Sequence, residues 1–151
     1  LIACGQLNLE EVEREIDPRF QAYVLDFEMR TGIDNKVAIT FQQIEQEDVI
    51  AICYDYKNLR KNYIIVDPEM FETLSDSEKE ETIYHELGHC MMNKKHDETV
   101  YKRTQYPQLP VASLYKSIMY PYVFGTFYSR YKNYYVNELV DEKTELESFF
   151  P

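Results

Sequence analysis

The chain has 151 residues, 44% apolar and 28% charged, which is enough length and apolar content for one buried core and excludes a disordered tract. Its net charge of −11, with a pI of about 4.7, lacks the basic footprint of a nucleic-acid binder, so no nucleic-acid partner is expected. No apolar run approaches the roughly 20 residues of a bilayer-spanning helix. Tyrosine is abundant at 14 and tryptophan absent; such amphipathic rings serve packing with a polar tip or a peptide- or glycan-binding surface.

In chain order, the first residues are Leu1-Ile2-Ala3-Cys4, with no initiator Met. This tetrapeptide resembles a bacterial lipoprotein lipobox, in which a cysteine is lipidated after cleavage. The resemblance implies that residues 1–7 are a leader remnant and tail and that Cys4 carries the lipid. The protein would then be exported and held at a cell-envelope or surface membrane, in an oxidising environment. Residues 8–151 form a single domain on this reading. Cys53 and Cys90 remain, as one disulfide or two buried thiols.

The segment "NLEEVEREIDP" reads as a short helix or lead-in capped by Asn8. A stronger helix follows, with Asp17 as N-cap, Pro18 at its first position and Phe20, Tyr23, Val24 and Phe27 at i, i+3, i+4, i+7. Gly32 is its stop. Three strands are expected at "KVAITFQ" (36–42), "VIAICYDY" (49–56) and "NYIIVD" (62–67). Ser75 and Glu78 make a capping box for a long helix whose Ile83, Leu87, Cys90 and Met91 share one side. Three prolines, Pro107, Pro110 and Pro121, predict irregular chain beyond it. A final helix from about Asn133 is expected to turn Val136, Leu139, Val140, Leu146 and Phe149 inward. The order predicts an α+β fold: a mixed twisted sheet packed on an N-terminal helix and the long helix.

All three histidines fall within "HELGHCMMNKKHD" (85–97). His85-Glu86-Leu87-Gly88-His89 is an H-E-x-x-H sequence. Helical spacing puts His85 and His89 one turn apart on one face, where both reach a tetrahedral Zn²⁺ at about 2.0–2.1 Å. Glu86 beside them is the candidate general base for a metal-activated water.

The stretch resembles the metzincin metallopeptidases, whose pattern is H-E-x-x-H-x-x-G-x-x-H followed by a methionine-containing turn. It departs from that pattern by one residue: Met92 and Lys95 stand where Gly and His belong. Asn93 restores the spacing one position later, because Asn is the next-best residue for a left-handed helix stop. His96 is then the third ligand, with Asp97 as the alternative. The extra residue turns the exit by about 100° and adds about 1.5 Å of helix. Ser117-Ile118-Met119-Tyr120-Pro121 is similar to the family's Met-turn, with Met119 as a floor under the metal. The resemblance implies a small zincin domain and a zinc endopeptidase acting on protein or peptide. Glu86 is its base, and Tyr120 or Tyr122 stands near the oxyanion. Residues 121–124 wall the pocket after the scissile bond. Substrate pairs with an edge strand, "NYIIVD" or the one before it.

Two other readings compete. In a gluzincin-type peptidase Glu138, with Glu142, would supply the third ligand. A non-catalytic surface lipoprotein would hold zinc structurally, with Asp97 as a fourth donor.

Overall fold

The computed structural model describes residues 15–56, 61–141 and 143–151. Cys4, the Asn8 segment and Glu142 lie outside the described residues.

Asp17 accepts from the Arg19 amide at 3.0 Å and opens a short 3-10 turn, Pro18–Phe20, that runs into α1 (Gln21–Thr31). Gly32 ends α1 in the left-handed region at φ 70, where a side chain would be strained. Phe20, Val24 and Phe27 are fully buried, so the spacing read from sequence is the face that packs.

β1 (Ala38–Phe41), β2 (Ala51–Tyr56) and β3 (Lys61–Val66) form one mixed sheet in the order β1-β3-β2. β1 runs parallel to β3, and β2 antiparallel to it with Cys53 opposite Ile64. The central place of β3 corrects one expectation: "NYIIVD" is no edge, and its near-continuous Ile64, Ile65 and Val66 are buried because both its sides are paired. The strand before it, β2, is at the edge of the sheet among the described residues. Asp67 then caps α2 (Pro68–Glu72) by accepting from the Met70 amide at 2.9 Å.

α3 (Asp76–Met92) starts with the expected capping box: Glu78 accepts from the Ser75 amide at 2.8 Å and donates its own amide to Ser75 Oγ at 3.4 Å. It packs on β2 and β3, and on α1. A disulfide, Cys53–Cys90, joins β2 to α3 with Cα atoms 5.6 Å apart, which closes the question the spacing left open. Asn62 of β3 adds a hydrogen bond to the Cys90 carbonyl at 2.9 Å.

The prolines do not exclude all regular structure after α3. Two three-residue strands, β4 (Val100–Lys102) and β5 (Ser113–Tyr115), pair antiparallel, and α4 (Thr126–Arg130) precedes α5 (Lys132–Val140). Val136 and Leu139 are buried, but Val140 is exposed at the helix end, and Leu146 is buried in a separate 3-10 turn, Leu146–Ser148. Four buried tyrosines bond through their hydroxyls, three of them from this part and Tyr84 from α3 to α1. Tyr84 donates to Asp26 at 2.7 Å, Tyr128 to Glu80 at 2.7 Å, Tyr134 to the Lys116 carbonyl at 2.7 Å and Tyr135 to the Tyr115 carbonyl at 3.0 Å. Each is a packing ring with a satisfied polar tip.

Candidate active site

His85, Glu86 and His89 come from the last two turns of α3, and His96 from the loop beyond it. Asn93 takes φ 53 and ψ 32, so the chain leaves the helix in the left-handed conformation that Asn tolerates. The Lys94 amide reaches back to the Gly88 carbonyl at 3.1 Å and closes the helix end. The loop absorbs the extra residue: the three imidazoles form a near-equilateral triangle with ring centroids 4.7, 5.2 and 4.9 Å apart. One nitrogen from each lies within 4.8 Å of the others.

Two backbone carbonyls orient the first pair. His85 Nδ1 donates to the Ile118 carbonyl at 2.8 Å and His89 Nδ1 to the Lys94 carbonyl at 2.7 Å. A carbonyl only accepts, so both Nδ1 atoms carry the proton and both Nε2 atoms are bare acceptors. These Nε2 atoms face each other at 3.0 Å. Two lone pairs at that distance repel, and a cation between them removes the repulsion. Tetrahedral zinc with bonds of about 2.0–2.1 Å would set two nitrogens about 3.3 Å apart, close to what is found. The donor set fits a nitrogen-bound divalent metal. Burial lowers the His85 imidazole to about 4, which keeps it neutral as a ligand must be.

Glu86 is buried beside this triangle, and burial pushes its carboxyl up to about 7 against the pull of the Cys53 amide. The Asp67 amide donates to the Ile50 carbonyl at 2.8 Å, so Ile50 faces β3, and the strand's period of two turns the backbone groups of Ala51 and Cys53 to the open edge. Two hollows of about 350 and 390 Å³ run beside this edge. The first takes in Asp48 to Ala51 and the second Ala51 to Cys53, and Glu86 and His96 line both.

The turn at Ser117 supports the site from below. Ser117 Oγ accepts from the Met119 amide at 3.0 Å, and the Met119 carbonyl accepts from the Asp97 amide at 3.0 Å. Met119 is buried against Gly88: a Cβ at Gly88 would stand 2.6 Å from Met119 Sδ. A side chain at this position of H-E-L-G-H would therefore have to displace the Met119 thioether. Tyr120 and Tyr122 both line the 350 Å³ hollow; Tyr120 packs on Tyr115 with centroids 4.1 Å apart, while Tyr122 is 73% exposed.

Neither alternative ligand lies in the histidine group. Asp97 accepts from Lys116 Nζ at 2.8 Å and from the Thr99 amide at 3.0 Å, outside the histidine group. Glu138 is buried on α5, also outside that group, and lines a third hollow of about 480 Å³ that His96, Asp97 and Met119 share; burial raises its pKa against a hydrogen bond from Ser117.

One residue escaped the sequence reading. Glu81, one turn before His85, is buried, and lines the 350 Å³ hollow. Its carboxylate accepts from the Phe124 amide at 3.0 Å and the Gly125 amide at 2.8 Å. Burial pushes it up to about 7 in spite of those amides. The signal was its spacing: Glu81, His85 and His89 lie at i, i+4 and i+8 on one helix face.

Three imidazoles converging beside a buried carboxylate on an α+β scaffold define a candidate metal centre. The chain belongs to the family described as "Putative phage metallopeptidase", whose model matches residues 8–116 and so takes in the whole histidine triangle. No curated protein and no solved structure shows significant similarity to the chain.

Proposed function

We propose that the protein is a zinc endopeptidase in which His85, His89 and His96 hold the metal and Glu86 is the general base. The observation that carries this is the pair of bare Nε2 atoms, aimed at one point by two backbone carbonyls, next to a buried carboxyl at an open strand edge. Zinc in that place supplies Lewis acidity toward water and the scissile carbonyl. Glu86 takes a proton from the attacking water as its oxygen bonds to the carbonyl carbon. It returns that proton to the nitrogen as the C–N bond breaks. The Ala51 backbone groups and the Cys53 carbonyl pair with an extended peptide as an added strand, the Cys53 amide being held by Glu86. Hollows on both sides of Glu86 favour cutting within a chain rather than at its end. Tyr120 is held as a wall by Tyr115, which leaves Tyr122 as the candidate oxyanion donor.

The test is a peptide-library digest with the zinc-loaded full chain, read by mass spectrometry beside Glu86→Ala and with metal content measured. Internal cleavage by the wild type alone is expected. Two inert proteins with zinc bound defeat the enzyme reading, and equal cleavage by both defeats the assigned site.

We extend the proposal to the N-terminus, where Cys4 is read as a lipid anchor on an exported protein. The Cys53–Cys90 disulfide supports export, since such bonds persist in oxidising compartments. Fatty-acid labelling of the precursor that is lost in Cys4→Ala is the expected result; labelling that persists refutes it.

A further inference from the structure

The 350 Å³ hollow holds a group that the proposed chemistry does not use. Its walls are apolar and aromatic at Val49, Ile50, Tyr120 and Val123, yet Glu81, only 2% exposed, is part of its lining. Among the described residues Glu81 has no ion-pair partner; the charged neighbour acting on it is Glu78, of the same sign. Its two backbone donors occupy part of an acceptor capacity of about four lone-pair sites and bring no full positive charge. Buried carboxylates are ordinarily paired with a cation. Asp48 at the same hollow is exposed and adds negative charge, as does the net charge of −11.

The shape matches a long side chain with an apolar stem and a cationic tip, as in lysine and arginine. The substrate's direction follows from the strand. Antiparallel pairing is the more stable on an edge, and it sets the residues after the scissile bond against the N-terminal end of β2, where this hollow lies.

Resting on the peptidase reading above, we propose that Glu81 selects lysine or arginine as the residue following the scissile bond, by pairing with its charged tip inside this hollow.

The full chain is assayed on peptides that carry lysine, arginine, norleucine or citrulline on either side of one cleavable bond. The wild type should prefer the cationic peptides by about tenfold or more in kcat/KM, only on the C-terminal side, and Glu81→Gln should bring the ratio close to one. A second measurement needs no catalysis: n-butylguanidinium, but not n-butylurea, should shift the Tyr120 and Tyr122 ring protons in the wild type and not in Glu81→Gln. Glu86-dependent cleavage with norleucine or citrulline equal to lysine overturns this inference and leaves the peptidase reading standing. No cleavage, with guanidinium binding that requires Glu81, overturns the peptidase reading and keeps the cation subsite. If Glu81→Gln does not fold, the two wild-type ratios decide: equal values for cationic and neutral probes overturn the proposal.

Discussion

The two flanks of the site are built by different means. Residues up to Met92 are placed by regular structure: a capped helix, a three-stranded ladder and a disulfide between them. Residues 93–123 have little regular structure beyond the short β4–β5 hairpin, and scattered backbone bonds and side-chain contacts hold them in place. The Ile118 carbonyl receives His85, the Lys94 carbonyl receives His89, and Lys116 is clamped by Asp97 and Tyr134. The helix flank supplies two of the three donors and the base; the loop flank supplies His96 and aims the other two. Positioning by secondary structure is distributed over many bonds, whereas positioning by a few carbonyls concentrates the effect of any one change.

The largest effect should come from the helix flank. Glu86→Gln should lower kcat by about 10²- to 10⁴-fold with zinc still bound, measured by steady-state hydrolysis and metal analysis. Retained activity would break the division of labour at its first point. Next is the brace: Cys53→Ser with Cys90→Ser opens a link of sequence separation 37 and should cost about 3–4 kcal/mol in chemical denaturation. Smaller is Gly88→Ala, whose Cβ would press on Met119; about 1–3 kcal/mol is expected, and Met119→Ala in the same chain should recover part of it. On the loop flank, Asn93→Ala should cost about 1–2 kcal/mol and Asn93→Gly little, since the position is left-handed. Equal effects of the two would mean that the turn is not held by backbone conformation.

The smallest effect concerns a joint remote from the cleft. Asp26 meets Tyr84, Lys132 and Arg30, and links α1 to α3 and α5. Burial works to raise its pKa, but the three hydrogen bonds outweigh that and bring it to about 2. A folded value below the unfolded one near 3.9 gives stability that is present above about pH 4 and lost as pH falls through 2. Wild-type denaturation midpoints should therefore fall more steeply between pH 4 and 2 than those of Asp26→Asn.

Legibility in the sequence follows the same division. The Ser75 capping box, the Asp17-Pro18 start and the Gly32 stop are local chemistry, and each forms as read. Asp67-Pro68 repeats the Asp17-Pro18 signal and marks α2, but at five residues this helix is too short to show a helical period. The hairpin of β4 and β5 has three-residue strands, too short to show a period of two. Strand order is a long-range property, so nothing in "NYIIVD" itself distinguishes a centre from an edge. The histidine spacing was visible because helix and turn geometry are local. The carbonyls that orient those histidines were not, because every residue has one.

The disulfide has a mechanical consequence. It fastens the open strand to the helix that bears Glu86, so one wall of the cleft and its base move as a single body. Any breathing of the groove would then be taken up by the opposite bank, residues 93–123, which leaves the helix at the left-handed Asn93. In hydrogen exchange that bank is the part expected to open first, while the bolted strand and helix exchange together and late.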